Sequence, residues 1–219
     1  MNAILWMDAR GAKYLKNSVG APINVAGYHP FKLLNWIRLT GGAPSLTGKD
    51  PAAHMLFIKH EYPDVYRKTY KFLNVVDYVN LRLTGRFVAT YDSIMTSWVT
   101  DNRDPSRIVY NDTLVRYSGI DRDKLPDIVK CTDVIGRIQR EFADAVGLNP
   151  ETQVVAGAID TTAAAVGSVC VRDYETHLYI GTSSWMAAHV PFKKTDIKTS
   201  MASLPCAVPG RYLLTALQA

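Results

Sequence analysis

The sequence predicts an α/β protein, and two stretches in its last third carry this prediction. Residues 153–167 open with a short apolar run typical of a buried strand and continue as an alanine-rich segment that favours a helix. Gly157 stands between them, where a glycine permits a close backbone approach or an unusual dihedral angle. Residues 177–185 then predict a strand, a glycine turn that carries hydroxyl groups, and a second apolar run.

Asp160 is the residue at which the first of these strands is expected to stop and the helix to start. Open α/β sheets bind ligands at the carboxyl ends of their strands, so an acid at this place is a candidate catalytic group. Asp is also a common helix N-cap, and the local pattern by itself favours that structural role. The turn at residues 181–183 has two interpretations as well. Its N–H groups suit phosphate oxygens, while a plain β-hairpin turn explains the same residues.

The composition is that of an ordinary globular protein, with 219 residues of which 47% are hydrophobic and 21% are charged. The net charge of +5 comes from scattered basic residues, so we expect no nucleic-acid-binding surface. No apolar run approaches the roughly 20 residues that span a bilayer, and the N-terminus does not resemble a signal peptide. Cys131, Cys170 and Cys206 are widely spaced and fit reduced thiols better than a disulfide framework or a zinc site. We therefore expect a cytoplasmic protein without nucleic-acid or membrane partners.

Near the N-terminus, residues 3–7 form an apolar run that predicts a strand ending at Asp8. Trp6, Asp8 and Arg10 place an aromatic ring, a carboxylate and a guanidinium group together at that predicted strand end. Such a set suits a polyol, because the ring offers an apolar face and the charged groups bind hydroxyls. A capping Asp beside an exposed Arg explains the same residues equally well.

Residues 77–85 predict a helix, for which Tyr78, Leu81 and Leu83 form a buried face and Gly85 provides the C-terminal stop.

Several motifs follow one another in the order found in the FGGY carbohydrate kinases, and the sequence resembles that family over nearly its whole length. No single motif is decisive, but the ordered set is specific. The motifs are W-x-D-x-R at residues 6–10, D-Y-V-N-L-R-L-T-G at 77–85, Y-D-S at 91–93, G-x-x-D at 157–160 and G-T-S at 181–183. Within these motifs, Asp77 is interpreted as a helix cap, and Asp92 and Ser93 are interpreted as residues that tie down a loop. Neither of these acids is assigned a chemical role.

The resemblance implies an actin-like ATPase, or ribonuclease H-like, sugar kinase fold. The chain is expected to contain most of the first domain and the start of the second. Residues 1–171 would be an incomplete N-terminal, sugar-binding domain, and residues 172–219 the beginning of a C-terminal, ATP-binding domain. Members of the family carry an Asp-Gly-Thr turn before the matching region and a glycine-rich adenosine segment after it, so we expect this chain to be a fragment.

The resemblance also implies that the parent enzyme transfers the γ-phosphoryl group of ATP, with Mg²⁺, to a hydroxyl of a small sugar. The motifs look most like those of xylulose kinases, so xylulose or a related ketopentose is the expected substrate. A non-catalytic remnant and a regulatory or interaction domain are the alternatives, and a homo-oligomer is a further possibility. No residue is assigned to the metal. The implied site residues are Asp160 as the catalytic base, Trp6, Asp8 and Arg10 as sugar ligands, and Gly181, Thr182 and Ser183 as phosphate ligands.

Overall fold

The computed structural model describes residues 3–181, 184–196, 199 and 201–218, and short helices alternate with short strands along them. The helices are α1 (Ala12–Val19), α2 (Pro30–Thr40), α3 (Pro51–Glu61), α4 (Pro63–Lys68), α5 (Val75–Thr84), α6 (Tyr91–Met95), α7 (Asp112–Ser118), α8 (Arg140–Val146) and α9 (Asp160–Gly167). The strands are β1 (Val88–Thr90), β2 (Thr100–Asp101), β3 (Val109–Tyr110), β4 (Asp127–Val129), β5 (Val134–Arg137), β6 (Gln153–Val155), β7 (Thr176–Ile180), β8 (Ser184–Val190), β9 (Thr195–Asp196), β10 (Met201–Pro205) and β11 (Tyr212–Gln218). Within this part of the chain, no helix is long and apolar enough to cross a membrane.

The described residues divide into two compact units, each assembled from separate stretches of chain. The first unit is drawn from Met1–Phe72, Met95–Arg103 and Ile108–Leu125. The second is drawn from Leu73–Ile94, Asp104–Arg107 and Pro126–Ala219.

Helices α1, α2, α3 and α7 supply the core of the first unit. Leu15, Trp36, Leu56 and Leu114, one from each of these helices, pack together and are almost completely buried. Trp36 also satisfies its one polar atom inside this core, because its Nε1–H donates to the carbonyl oxygen of Trp98 at 2.9 Å.

The strand predicted for residues 3–7 does not form, and that prediction is wrong. A turn takes its place, in which the Asp8 N–H donates to the Leu5 carbonyl at 2.9 Å. Strands are stable when neighbouring strands satisfy their backbone groups and cover one face, whereas Leu5, Trp6 and Met7 are exposed here, Trp6 at 73%. The apolar run therefore belongs to a surface turn that precedes α1.

A five-stranded antiparallel sheet in the order β7-β8-β11-β10-β9 dominates the second unit. Helix α9 packs on one face, where Ala165 joins Ala187 and Leu213 in a buried cluster. The opposite face carries Leu178 directly across from Met186, and both side chains are exposed.

Helix α5 starts at Val75, two residues earlier than predicted, and ends as predicted at Gly85, whose φ of 76° suits a glycine. Its fully buried residues are polar, Asp77 and Asn80, while Tyr78 is 49% exposed, so the predicted burial of Tyr78 is wrong. The polar side of α5 faces inward because its hydrogen-bond partners lie there. The Nδ2 atom of Asn80, for example, donates to the Ala156 carbonyl at 2.7 Å.

Asp77 is the third residue of α5, and its carboxylate accepts hydrogen bonds instead of pairing with a cation. The donors are the Ser93 hydroxyl at 2.6 Å, the Thr90 N–H at 3.4 Å and the backbone N–H of Asn74, the N-cap residue. Burial raises the pKa of Asp77 from 3.8 to about 6, the hydrogen bonds oppose that rise, and the neighbouring Asp92 carboxylate adds to it.

The raised pKa makes the stability of the chain depend on the charge of Asp77. The folded state holds this proton up to about pH 6 and the unfolded state only to about 3.8, so the free energy of unfolding falls as pH rises through this window. The fall is about 3 kcal/mol for this one group. Asp77→Asn cannot ionise, so we expect its stability relative to wild type to rise by that amount between pH 4 and pH 7.

Urea unfolding followed by tryptophan fluorescence at several pH values measures this difference. Asp64→Asn, at an exposed side chain, is the control for the substitution itself. Parallel pH curves for wild type and Asp77→Asn would show that Asp77 has no raised pKa in the folded protein.

Candidate active site

In the first unit, Asp8 and Arg10 form a bidentate ion pair, and the exposed Trp6 precedes Asp8 by two residues. The Nη2 and Nε atoms of Arg10 lie 2.6 Å and 2.9 Å from Oδ2 of Asp8, and the Arg10 backbone N–H donates to Oδ1 at 2.9 Å. These hydrogen bonds with Arg10 lower the pKa of Asp8 to about 2, so the carboxylate is charged at any physiological pH. The Nη1 atom of Arg10 has no hydrogen bond to the described residues, which leaves donors for a ligand.

Two residues of helix α3 hold the Asp8–Arg10 ion pair in place. The His54 Nε2–H donates to the Asp8 carbonyl at 2.8 Å, and the Arg10 guanidinium lies over the Phe57 ring, 4.3 Å from its centroid. An open depression of about 520 Å³ lies alongside, lined by Asp8 and Arg10 with Ala3, Leu5 and Met7. A charged pair that is held in place beside an apolar wall can bind a small polyhydroxylated molecule.

In the second unit, Asp160 follows a sharp corner between β6 and α9. Gly157 has a φ of 77°, the left-handed region that its sequence position predicted, and its N–H donates to the Cys131 carbonyl at 2.9 Å. Asp160 is then the first residue of α9, while the N-cap position belongs to Ile159. The chain therefore makes Asp160 part of the helix and not its cap.

The Asp160 carboxylate is exposed and little used by the protein. Its described contacts are both with the next residue, since Oδ1 accepts from the Thr161 N–H at 2.8 Å and lies 3.3 Å from the Thr161 hydroxyl. A charged, accessible carboxylate at the start of a helix is able to accept a proton from a bound hydroxyl group.

Asp92 is the residue that the sequence analysis undervalued. Its side chain is 0% exposed, and its Oδ2 accepts hydrogen bonds from the Ile159 N–H at 3.0 Å and from the Thr162 hydroxyl. The Y-D-S motif was assigned only to tying down a loop, whereas the carboxylate holds the start of α9. Its position between two hydroxyl residues, Thr90 and Ser93, was the available signal of a buried polar network.

Gly181 directly follows strand β7 and is exposed, and its backbone lies beside the ring of Tyr179. A Cβ atom at residue 181 would come within 2.8 Å of the Tyr179 hydroxyl, so only a glycine fits without moving that ring. Thr182 and Ser183, the other two predicted phosphate ligands, lie outside the residues that the structure describes.

The predicted site residues thus fall in both units, with Trp6, Asp8 and Arg10 in the first and Asp160 and Gly181 in the second. Among the described residues, no group of three or more His, Cys, Asp or Glu side chains could hold a metal ion.

Residues 1–167 match the N-terminal domain of the FGGY family of carbohydrate kinases.

Two curated relatives are xylulose kinases. That of Lactococcus lactis subsp. lactis is 26% identical over 208 residues, which are 95% of this chain and 38% of the relative. That of Escherichia coli is 30% identical over 167 residues, 76% of this chain and 34% of the relative. The chain therefore spans somewhat more than a third of the length of these relatives.

Solved structures show the same fold. A ligand-bound xylulose kinase and a gluconate kinase, both from Lactobacillus acidophilus, each have a TM-score of 0.78 and 22% identity, with 98% of this chain and 41% of the other chain covered. This similarity confirms the predicted actin-like ATPase fold, and the profile match over three quarters of the chain settles the family. The chain belongs to the FGGY family of carbohydrate kinases.

Proposed function

We propose that the chain carries the sugar site and the catalytic base of a kinase that phosphorylates a hydroxyl of xylulose or a related ketopentose with ATP. The observation that carries this proposal is the exposed Asp160 carboxylate, which starts a helix shortly after a glycine corner and whose Oδ2 atom accepts no hydrogen bond from the described residues. The xylulose kinases among the relatives support the ketopentose as substrate. The boundary between the sugar-binding and ATP-binding domains is placed after residue 171.

Asp160 acts as the base in this proposal. Its carboxylate accepts the proton of the sugar hydroxyl as the oxygen atom attacks phosphorus, and this raises the nucleophilicity of that oxygen. The phosphoryl group itself needs mainly positioning and charge stabilisation. The exposure of Asp160 supports this role, because it leaves the carboxylate accessible to a bound hydroxyl group.

Asp8 and Arg10 orient the sugar. Arg10 donates through the nitrogen atoms that Asp8 does not use, and the Asp8 carboxylate, which stays ionised because of Arg10, accepts from sugar hydroxyls. Trp6, which is exposed and precedes Asp8 by two residues, offers a flat apolar face to the carbon skeleton of the sugar.

For ATP, the chain offers the glycine turn after β7, because the bare backbone at Gly181 admits a phosphate group where a side chain would collide with Tyr179. Thr182 and Ser183 complete the proposed phosphate ligands. For Mg²⁺, the described residues contain no group of three or more His, Cys, Asp or Glu side chains that could hold the ion.

The role of Asp160 is tested in a chimeric enzyme in which this chain replaces the matching segment of the Escherichia coli xylulose kinase. We expect Asp160→Asn to lower kcat by at least about 10²-fold and to leave the KM for xylulose nearly unchanged, because a base acts on the chemical step and not on sugar binding. A coupled ATPase assay measures both constants.

Asp144→Asn is the matched control, since Asp144 is an exposed acid on α8 of the same unit. Near-wild-type turnover of Asp160→Asn in an active chimera would remove Asp160 from the mechanism and favour a non-catalytic role for the chain.

Sugar binding is tested by Arg10→Ala in the same chimera. Loss of hydrogen bonds to a charged donor is expected to raise the KM for xylulose by at least about tenfold, with a smaller effect on kcat. Arg103→Ala provides a matched control, because Arg103 forms the same bidentate pair with Asp101, two residues before it, in the same unit. Equal effects of the two substitutions would mean that Arg10 serves stability and not the sugar.

A protein that consists of residues 1–219 only is expected to lack sugar kinase activity. Phosphoryl transfer requires both walls of the nucleotide site, and the chain spans about two fifths of the relatives' length. Its ATP turnover with xylulose, glycerol or gluconate should equal that of the same protein with Asp160→Asn. The exposed apolar side chains of Leu178, Ile180 and Met186 should also make it associate, which light scattering detects. Sugar-dependent turnover by a monomer would contradict both expectations.

A further inference from the structure

Asp92 is a fully buried carboxylate whose partners are all uncharged. Its Oδ1 accepts from the Thr90 hydroxyl at 2.6 Å and from the Cys131 thiol at 3.3 Å, and its Oδ2 accepts from the Ile159 N–H and the Thr162 hydroxyl. None of the ion pairs among the described residues includes it. A buried charge held only by directed donors fixes the geometry of every group that donates to it.

Two of these donors belong to the start of α9. Ile159 is the N-cap residue and has no side-chain acceptor of its own, so the helix starts without a local cap. Asp92 provides that cap from 67 residues away, and its charge lies at the positive end of the helix dipole. Thr162, the third residue of the helix, adds a second bond to the same oxygen atom.

These two bonds enclose Asp160. Ile159 precedes it directly and Thr162 follows it by two residues, so Asp92 holds the chain through a backbone N–H on one side of Asp160 and through a side-chain hydroxyl on the other. The Asp160 carboxylate itself contacts only Thr161 among the described residues, and its direction is therefore set by the backbone.

Asp92 is held in turn by a second layer. The Thr90 hydroxyl, which donates to Asp92, accepts from the Ser93 N–H at 3.3 Å, and the Ser93 hydroxyl donates to Asp77. The network therefore runs from α5 through β1 and α6 to α9, and Asp77 belongs to it without touching α9.

From this geometry we infer that Asp92 is a positioning residue that fixes the direction of the Asp160 carboxylate through the first turn of α9. The catalytic part of this inference, in which Asp160 is the base, rests on the proposed function. Its structural content, that the Asp92 carboxylate holds Ile159 and Thr162 in place, is tested separately from catalysis.

The first measurement is amide hydrogen exchange by NMR on the 219-residue chain with Asp92→Asn. Asn offers one acceptor oxygen where the carboxylate offered two, so we expect exchange at Ile159 and at Ala163, whose N–H donates to the Ile159 carbonyl, to accelerate by at least about tenfold. Amides of β8, β10 and β11 should not change. Asp144→Asn is the matched control, because Asp144 is an exposed acid on α8 of the same unit and lies outside this network, so its substitution should leave both amides protected.

The second measurement is turnover of the chimeric enzyme. Asp92→Asn is expected to lower kcat by at least about tenfold at an unchanged KM for xylulose, since a misdirected base affects the chemical step alone. Thr162→Val removes one bond at nearly constant volume and should lower kcat in the same way, while Thr162→Ser, which keeps the hydroxyl, should restore it. The Thr162 pair carries the test if Asp92→Asn does not fold.

The outcomes distinguish the structural role of Asp92 from the catalytic role of Asp160. Unchanged exchange at Ile159 in Asp92→Asn, or equal acceleration throughout the second unit, would overturn the inference whatever the reaction is. A kcat that falls in Asp160→Asn but not in Asp92→Asn and Thr162→Val would overturn it as well. Full turnover by Asp160→Asn would refute the proposed function, and the exchange data would still decide whether Asp92 holds α9.

Discussion

A carboxylate that is buried away from water needs hydrogen-bond donors from the protein. In the second unit, several segments supply such donors to the buried Asp92. The donors come from β1, from the segment before β5 and from the start of α9. Each of these segments donates to the same acid, so the hydrogen bonds of Asp92 help to fix the corner between β6 and α9. Asp160 takes its position from that corner.

Features that depend on neighbouring residues could be predicted from the sequence. The glycine between strand and helix at Gly157, the helix that starts at Asp160 and the glycine stop at Gly85 all follow from local backbone preferences, and the structure contains each of them.

Features that depend on distant partners could not be predicted in the same way. The partners of Asp92 in the second half of the chain lie 39, 67 and 70 residues from it, and no local pattern relates them. The buried side of α5 could not be predicted for the same reason. Asp77 and Asn80 face the interior because their hydrogen-bond partners, the Ser93 hydroxyl and the Ala156 carbonyl, belong to other segments. The run at residues 3–7 is apolar like a strand, but a strand also needs a neighbour to pair with.

The way in which the chain enters and leaves its two units affects how it folds during synthesis. The backbone passes between them after Phe72, Ile94, Arg103, Arg107 and Leu125. Neither unit is therefore a continuous segment that could be excised and expressed alone. On the ribosome, the hydrophobic core of the first unit must wait for α7, because Leu114 completes it, although most of its other members have emerged some sixty residues earlier. Until then the apolar faces of α1, α2 and α3 lack the side chain that completes their core, and apolar surface that is exposed during folding is prone to aggregation.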